Sequence, residues 1–386
     1  MKLYGANMTS APSAPTAGHP HRWAVLAVAA LAVFVVLMDG TIVNVAIPSL
    51  STDLGASTRQ LQWIVDAYLL VFTGLLLAAG GLGDRYGRKR ALVLGLLAFA
   101  GTSVWAGSAG TATELIVGRA AMGVGAALIF PATLAIVANV FTDPRERAAA
   151  IGIWSATSGV AVAAGPIVGG WLLETFWWGS VFYVNVPVAA VAVVATLVFV
   201  PESRDVDTPR LDLAGLVLSV AAIGVLVLTI IEAPEWGWTS PAALAGFGAA
   251  AALLAGFVAW ELRVDHPMLP VRIFRNLRFS AASISVTSAF FALFGFIFLV
   301  TQYFQLIRGY GPFEAGLRTI PVAVAIAVMA ILSPRLVERV GTTRVVAGGL
   351  ALMAVGFAWI STVSTATTYL EIAGQMVVLG GGLGPV

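Results

Sequence analysis

Apolar stretches of 17 to 25 residues recur along the whole chain, and a stretch of that length is fitted to one solvent. The hydrocarbon core of a bilayer is about 30 Å thick and takes roughly 20 helical residues to cross. Twelve such runs fall at about 23–47, 61–80, 91–109, 112–137, 148–172, 181–199, 213–231, 242–259, 280–300, 317–333, 345–362 and 371–386. Lipid offers backbone groups no hydrogen bonds, so each run must satisfy its own as a helix. The predicted fold is all-α, a polytopic membrane protein. Composition agrees: 59% of residues are hydrophobic and 10% charged, where soluble domains carry about 25% charged residues. The chain has no cysteine and three histidines, His19, His21 and His266, so neither disulfides nor a metal site is expected.

The most charged of the short connections is residues 80–90, GGLGDRYGRKR. Gly80, Gly81, Gly83 and Gly87 permit a tight reversal, and Asp84 is placed to cap the following helix at its positive end. Arg85, Arg88, Lys89 and Arg90 hold the turn on the cytoplasmic side. The rest of the chain predicts the same orientation. With the N-terminus inside, only Arg59, Arg308 and Arg318 of the 21 Lys and Arg residues fall on the outer face, and Arg119 falls inside a run. Cations spread over loops in this way are topology signals and not a nucleic-acid surface. Residues 1–22, rich in Ala, Pro, Ser and Thr, read as a disordered cytoplasmic tail, and the run after them is too long for a cleaved signal peptide.

The charged turn returns. Residues 337–344, VERVGTTR, match residues 83–90 at an offset of 254, pairing Asp84 with Glu338, Arg85 with Arg339, Gly87 with Gly341 and Arg90 with Arg344. Such a period implies two related halves. The expected organisation is a six-helix half at 23–200, a central section at 201–279 carrying two extra spans at 213–231 and 242–259, and a second half at 280–386. A complete second half would run past residue 386. Four of its six helices are therefore expected, giving about twelve of fourteen spans and a C-terminal truncation.

Three ionisable residues lie inside runs, where a charge costs at least about 2.5 kcal/mol. Asp39 is roughly 24 Å along a helix from Trp23, and Asp66 and Arg119 are roughly 8 and 11 Å from the outer face. Two acids and one base are thus expected in one layer. Burial favours a neutral carboxylic acid and a nearby guanidinium favours the ionised form, so the approach of the arginine decides whether a proton is held. The plainer alternative is an ion pair that only fixes helix packing.

The fifth run contains GVAVAAGPIVGG, residues 159–170. A Gly-Pro pair inside a helix costs several kcal/mol, on the order of 3–4, so a bend or a close helix contact is expected at Gly165 and Pro166. A small-residue packing face accounts for Gly159, Gly169 and Gly170 but not for their spacing. Trp177 and Trp178 read as interfacial anchors. The aromatics of the ninth run cover more than one face and read mostly as lipid-facing or packing residues, with Phe290 and Phe294 one turn apart. Gly123-Val124-Gly125 has no strand before it and no G-x4-G-K-[ST] occurs, so nucleotide binding is not indicated. A cation gradient remains as the energy source, at about 2.3 kcal/mol per charge per 100 mV.

G-x-L-x-D-R-x-G-R-K-R after the second span resembles the loop signature of the major facilitator superfamily of transporters. An ordinary cytoplasmic turn is the alternative. D-x-T-I-V-N-V-A-x-P from Asp39 and G-R-x-x-x-G-x-G from Gly118 resemble further signatures of that family, the second tied to proton transfer. G-x5-G-P-x-x-G-G from Gly159 resembles the antiporter signature of its exporters. FWWGSVFYVNVP at 176–187 and the six, two and six order resemble its fourteen-span drug:proton antiporter branch over essentially the whole chain. The resemblance implies that spans one, four, nine and twelve line a central cavity, and hence that Phe290 and Phe294 contact an apolar ligand.

The resulting expectation is a transporter in the cell membrane that exports small hydrophobic or cationic compounds in exchange for protons, by alternating access between two halves. Asp39, Asp66 and Arg119 would couple protons, and Gly83, Asp84, Arg85, Gly87, Arg88 and Arg90 would form a cytoplasmic gate. No cofactor is expected. No nucleophile–base pair points to an enzyme. Two alternatives stay open: proton-coupled uptake of a small polar solute on the same fold, and a truncated product without transport activity.

Overall fold

The computed structural model describes residues 20–205 and 212–384. The expected tail lies outside them up to residue 19, as do 206–211 of the first central linker and 385–386 of the final run. Every predicted run is a helix: α1 (Arg22–Asp53), α2 (Thr58–Tyr86), α3 (Arg88–Gly107), α4 (Ala112–Val140), α5 (Pro144–Thr175), α6 (Ser180–Phe199), α7 (Leu213–Trp236), α8 (Pro241–Glu261), α9 (Leu277–Ile307), α10 (Pro312–Val340), α11 (Thr342–Ile360) and α12 (Tyr369–Leu383). The first eleven are long and apolar enough to cross a membrane, and α12 is shorter. No strand occurs among the described residues. The protein is an all-helical, multi-span membrane protein.

Local chemistry sets the helix starts. Ser57 accepts from the Gln60 N–H while Gln60 Oε1 accepts from the Ser57 N–H, closing a capping box on α2. Thr111, Ser240 and Thr368 cap α4, α8 and α12 through their hydroxyls, and Asp143, Asp212 and Asn276 cap α5, α7 and α9. Pro144 and Pro241 occupy the first helical positions of α5 and α8, where a missing N–H is harmless.

Side chains from α1 to α6 form one buried cluster, and side chains from α9 to α12 form a second, which Val162 of α5 joins. The pair α7 and α8 pack on each other, and α7 packs on α2 of the first cluster. The repeat is visible in the elements. Moved by 254 residues, the bounds of α2 and α3 coincide with the bounds of α10 and with the start of α11. The glycine that ends each of the two charged-turn helices has positive φ, 119° at Gly87 and 88° at Gly341, a backbone that only glycine adopts without strain.

One anchor is corrected. Trp177 is exposed, but Trp178 is buried in the first cluster with its ring against Phe182. A tight Trp-Trp pair at a helix entry points its two rings in different directions, so only one reaches the surface.

Candidate functional site: a buried ion pair beside an apolar cavity

Asp39 of α1 and Arg119 of α4 are both fully buried and paired, Arg119 Nη1 donating to Asp39 Oδ2. Arg119 Nε donates to the Ile64 carbonyl at 2.9 Å, and the guanidinium lies 4.3 Å over the Tyr68 ring, a favourable seat for a desolvated cation. The other Asp39 oxygen accepts from Asn185 Nδ2 at 2.7 Å. Arg119 Nη2 and Asn185 Oδ1 have no hydrogen-bond partner among the described residues. The charges are therefore held by α1, α2, α4 and α6 together, in a network that is not fully satisfied.

Asp66 does not join them. Ile64, whose carbonyl bonds Arg119, faces the pair, and Asp66 follows two residues later. That is about 3 Å along the axis and some 200° around it. The residue is directed away from the pair. Asp66 lines a crevice between α2 and α7 with Leu70, Thr73 and Val227.

The glycine–proline run of α5 lies against α1 and α10. Pro166 offers no N–H to the Val162 carbonyl, and Thr41 Oγ1 of α1 donates to that carbonyl at 3.0 Å. Gly165 makes the approach possible. A Cβ there would meet Thr41 Oγ1 and lie 2.9 Å from the Ile42 nitrogen. At Gly169 a Cβ would lie 2.7 Å from Ile42 Cγ1, and at Gly170 it would run into the Pro312 carbonyl of α10. Gly159 has nothing within 4 Å of that position and faces open space.

That space is a cavity of about 480 Å³ between the two clusters. Phe72, Phe130 and Trp154 wall one side, and Phe290 and Phe294 of α9, with ring centroids 6.3 Å apart, wall the other. Thr73, Ser155, Ser158 and Thr319 are its hydroxyl-bearing residues, and no charged side chain lines it among the described residues. At the end away from Arg22 the clusters are joined. Gln302 Nε2 donates to the Asn44 carbonyl, which Pro48 leaves without its helical donor, and Gln305 Nε2 donates to the Val45 carbonyl, each at 3.3 Å. Glu174 Oε1 accepts from the Phe313 N–H at 3.2 Å.

The charged turn is tighter than expected. Gly80, Gly81 and Gly83 stay helical and the chain reverses at Gly87 alone. Because the reversal takes one residue, Asp84 still sits in the last turn of α2. It bonds Arg88 Nε at 2.7 Å and does not cap α3. The acid at that helix start is Glu202, which accepts from the Lys89 N–H at 3.2 Å and lies 3.6 Å from Arg90 Nε. Arg85 lies 5.6 Å over the Tyr86 ring.

A sequence profile described as Major Facilitator Superfamily matches residues 29–386. The chain belongs to the Major Facilitator Superfamily. The multidrug resistance protein Stp of Mycobacterium tuberculosis (strain CDC 1551 / Oshkosh) is 36% identical over 326 residues, 84% of this chain and 61% of that protein. The chain thus spans less than two thirds of the length of Stp. The tetracenomycin C resistance and export protein of Streptomyces glaucescens is 35% identical over 376 residues, covering 97% of this chain and 69% of that one. Among solved structures, the xylose transporter XylE from E. coli, in a partially occluded inward open conformation, superposes with a TM-score of 0.64 at 15% identity, over 95% of this chain and 84% of that one. At that identity the likeness is one of fold.

Two residues of the site in this superfamily member, Asn185 and Glu202, were not singled out by sequence pattern. Asn185 is an amide inside an apolar run, which is a usable signal. Glu202 lies in a loop, where nothing distinguishes it from a solvated acid.

Proposed function

We propose that this superfamily member is a proton-coupled exporter of small hydrophobic compounds, cationic ones included, of the fourteen-span drug:proton antiporter branch. The pair α7 and α8, lodged on α2 outside both clusters, supports the branch. The resistance and export functions in the relatives' names support the direction. The cation distribution supports a cytoplasmic N-terminus in a cell-membrane protein.

One observation carries the mechanism: a fully buried, incompletely satisfied Asp39–Arg119 pair that is mechanically tied to the cavity wall. Protonation of Asp39 removes the charge that holds Arg119 and, through the α1 backbone two residues on, disturbs Thr41 on the other side of the helix. Thr41 bonds Val162, which lines the cavity. A proton at Asp39 is thereby felt at the substrate. Arg119 returns the site to its charged form by drawing Asp39 back. Asp66 is the second acid of the coupling. The turn around Gly87, with Arg88 on Asp84 and Glu202 on α3, acts as the cytoplasmic latch. Alternating access then rocks the two clusters so that the join of α5 on α10 opens and closes.

Uptake of a polar solute is disfavoured by the cavity, whose charged groups are all outside its wall. In membrane vesicles of known orientation, an imposed proton gradient is expected to drive a hydrophobic cation such as tetraphenylphosphonium out of the cytoplasmic compartment. Movement into that compartment with the protons would overturn the export reading.

A further inference from the structure

Beside the central cavity lies a second one of about 220 Å³, between α2 and α7. Asp66, Leu70 and Thr73 form its α2 wall and Ile223, Val227, Ile230 and Ile231 its α7 wall. These α2 positions are spaced by four and three residues and share one helix face. The crevice is bounded at both ends. Towards the far end Arg59, seven residues before Asp66 on the same face, bonds Glu232 and Glu235 of α7, each at 3.0 Å. In the other direction Gly74 brings the helices together, its absent Cβ only 3.1 Å from Val220.

The groups left between those closures are acceptors. Asp66 has no hydrogen-bond or charged partner among the described residues, the cation on its helix face being held by two other acids. Pro234 interrupts α7 and offers no N–H to the carbonyl of Ile230, a wall residue. The remaining wall is aliphatic, and Ile223 and Ile230 are exposed on the apolar flank of the bundle. A carboxylate and a freed carbonyl in an aliphatic slot fit a cation whose charged nitrogen is sheathed in alkyl groups, such as a quaternary or alkyl ammonium, and leave an anionic guest, or a neutral one without a hydrogen-bond donor, without a polar partner. Leu69 and Thr73 line both this crevice and the central cavity, so one layer of α2 side chains separates the two.

We infer, on the reading of the chain as an exporter, that the α2–α7 crevice is a lateral binding site through which the cationic head of an apolar compound passes from the lipid layer to the central cavity, with Asp66 as its counter-charge. The extra helical pair thereby gains a role, because α7 supplies the outer wall of a membrane-side entrance.

The test is photolabelling of the purified full chain in lipid nanodiscs, with a benzophenone bearing a trimethylammonium group and a neutral benzophenone of the same length as comparator. Adducts are mapped by mass spectrometry. The cationic probe is expected to label residues 223–231, and Asp66→Asn is expected to reduce that labelling at least fivefold while the neutral probe is unaffected. Val227→Trp, which fills the slot without touching the acid, is expected to reduce labelling by the cationic probe to a similar degree. Equal cationic labelling in the parent chain and Asp66→Asn, or labelling spread evenly over lipid-facing helices, would overturn the site. The readout is binding and not transport, so a failure of the export reading leaves it unchanged.

Discussion

Thr41 ties α1 to α5 through one hydroxyl. Its hydroxyl supplies the Val162 carbonyl with the hydrogen bond that Pro166 withholds. Thr41→Val would leave that buried acceptor unsatisfied and is expected to cost about 1–3 kcal/mol, measured as a lowered melting temperature. In a Pro166→Ala background residue 166 regains its N–H, so Thr41→Val is expected to lose most of its effect. An unchanged penalty would break the link between the two helices. Asp39 and Arg119 were legible in the sequence because an ionisable side chain in an apolar run needs a reason. Asp66 was legible as an oddity but not in its direction. Sequence spacing gives a side chain's level, whereas its bearing depends on which helix lies on each side, and the α7 neighbour of α2 is set by tertiary packing.

Among the helices, α5 shows how one motif divides its labour. Gly165 and Gly169 lie against the backbone and side chain of α1, and Gly159 lies at open cavity. Gly169→Ala is therefore expected to destabilise the α1–α5 contact by about 1–3 kcal/mol, while Gly159→Ala leaves thermal stability within about 0.5 kcal/mol and alters only which compounds bind. Equal losses at both positions would reduce the motif to a generic packing face. The helix boundaries were readable because apolar runs, caps and the repeated charged turn agree with one another. What the turn does was not. Its brevity depends on the single φ of Gly87, and its capping acid, Glu202, lies over a hundred residues away in the chain.

At the scale of the described residues, two helical clusters, with the α7–α8 pair on the flank of the first, are joined at the end away from Arg22 and have an apolar cavity between them. A transporter that alternates must break that join. The chain contains no cysteine, and a Cβ at Gly311 would lie 2.7 Å from Glu174 Oε1. Bridging the Glu174→Cys, Gly311→Cys double variant with a short thiol cross-linker that contains a disulfide is expected to fix the join and stop transport, with activity returning on reduction. Transport that persists in the bridged form would place the moving seam elsewhere.

The most direct measurement compares two modes in proteoliposomes of Asp39→Asn. The account predicts that uphill movement of tetraphenylphosphonium under an imposed proton gradient is lost, while exchange of labelled for unlabelled compound without a gradient persists, because the cavity and its walls are intact. Uphill transport at the parent rate in Asp39→Asn would contradict the claim that the buried pair is where the proton is coupled.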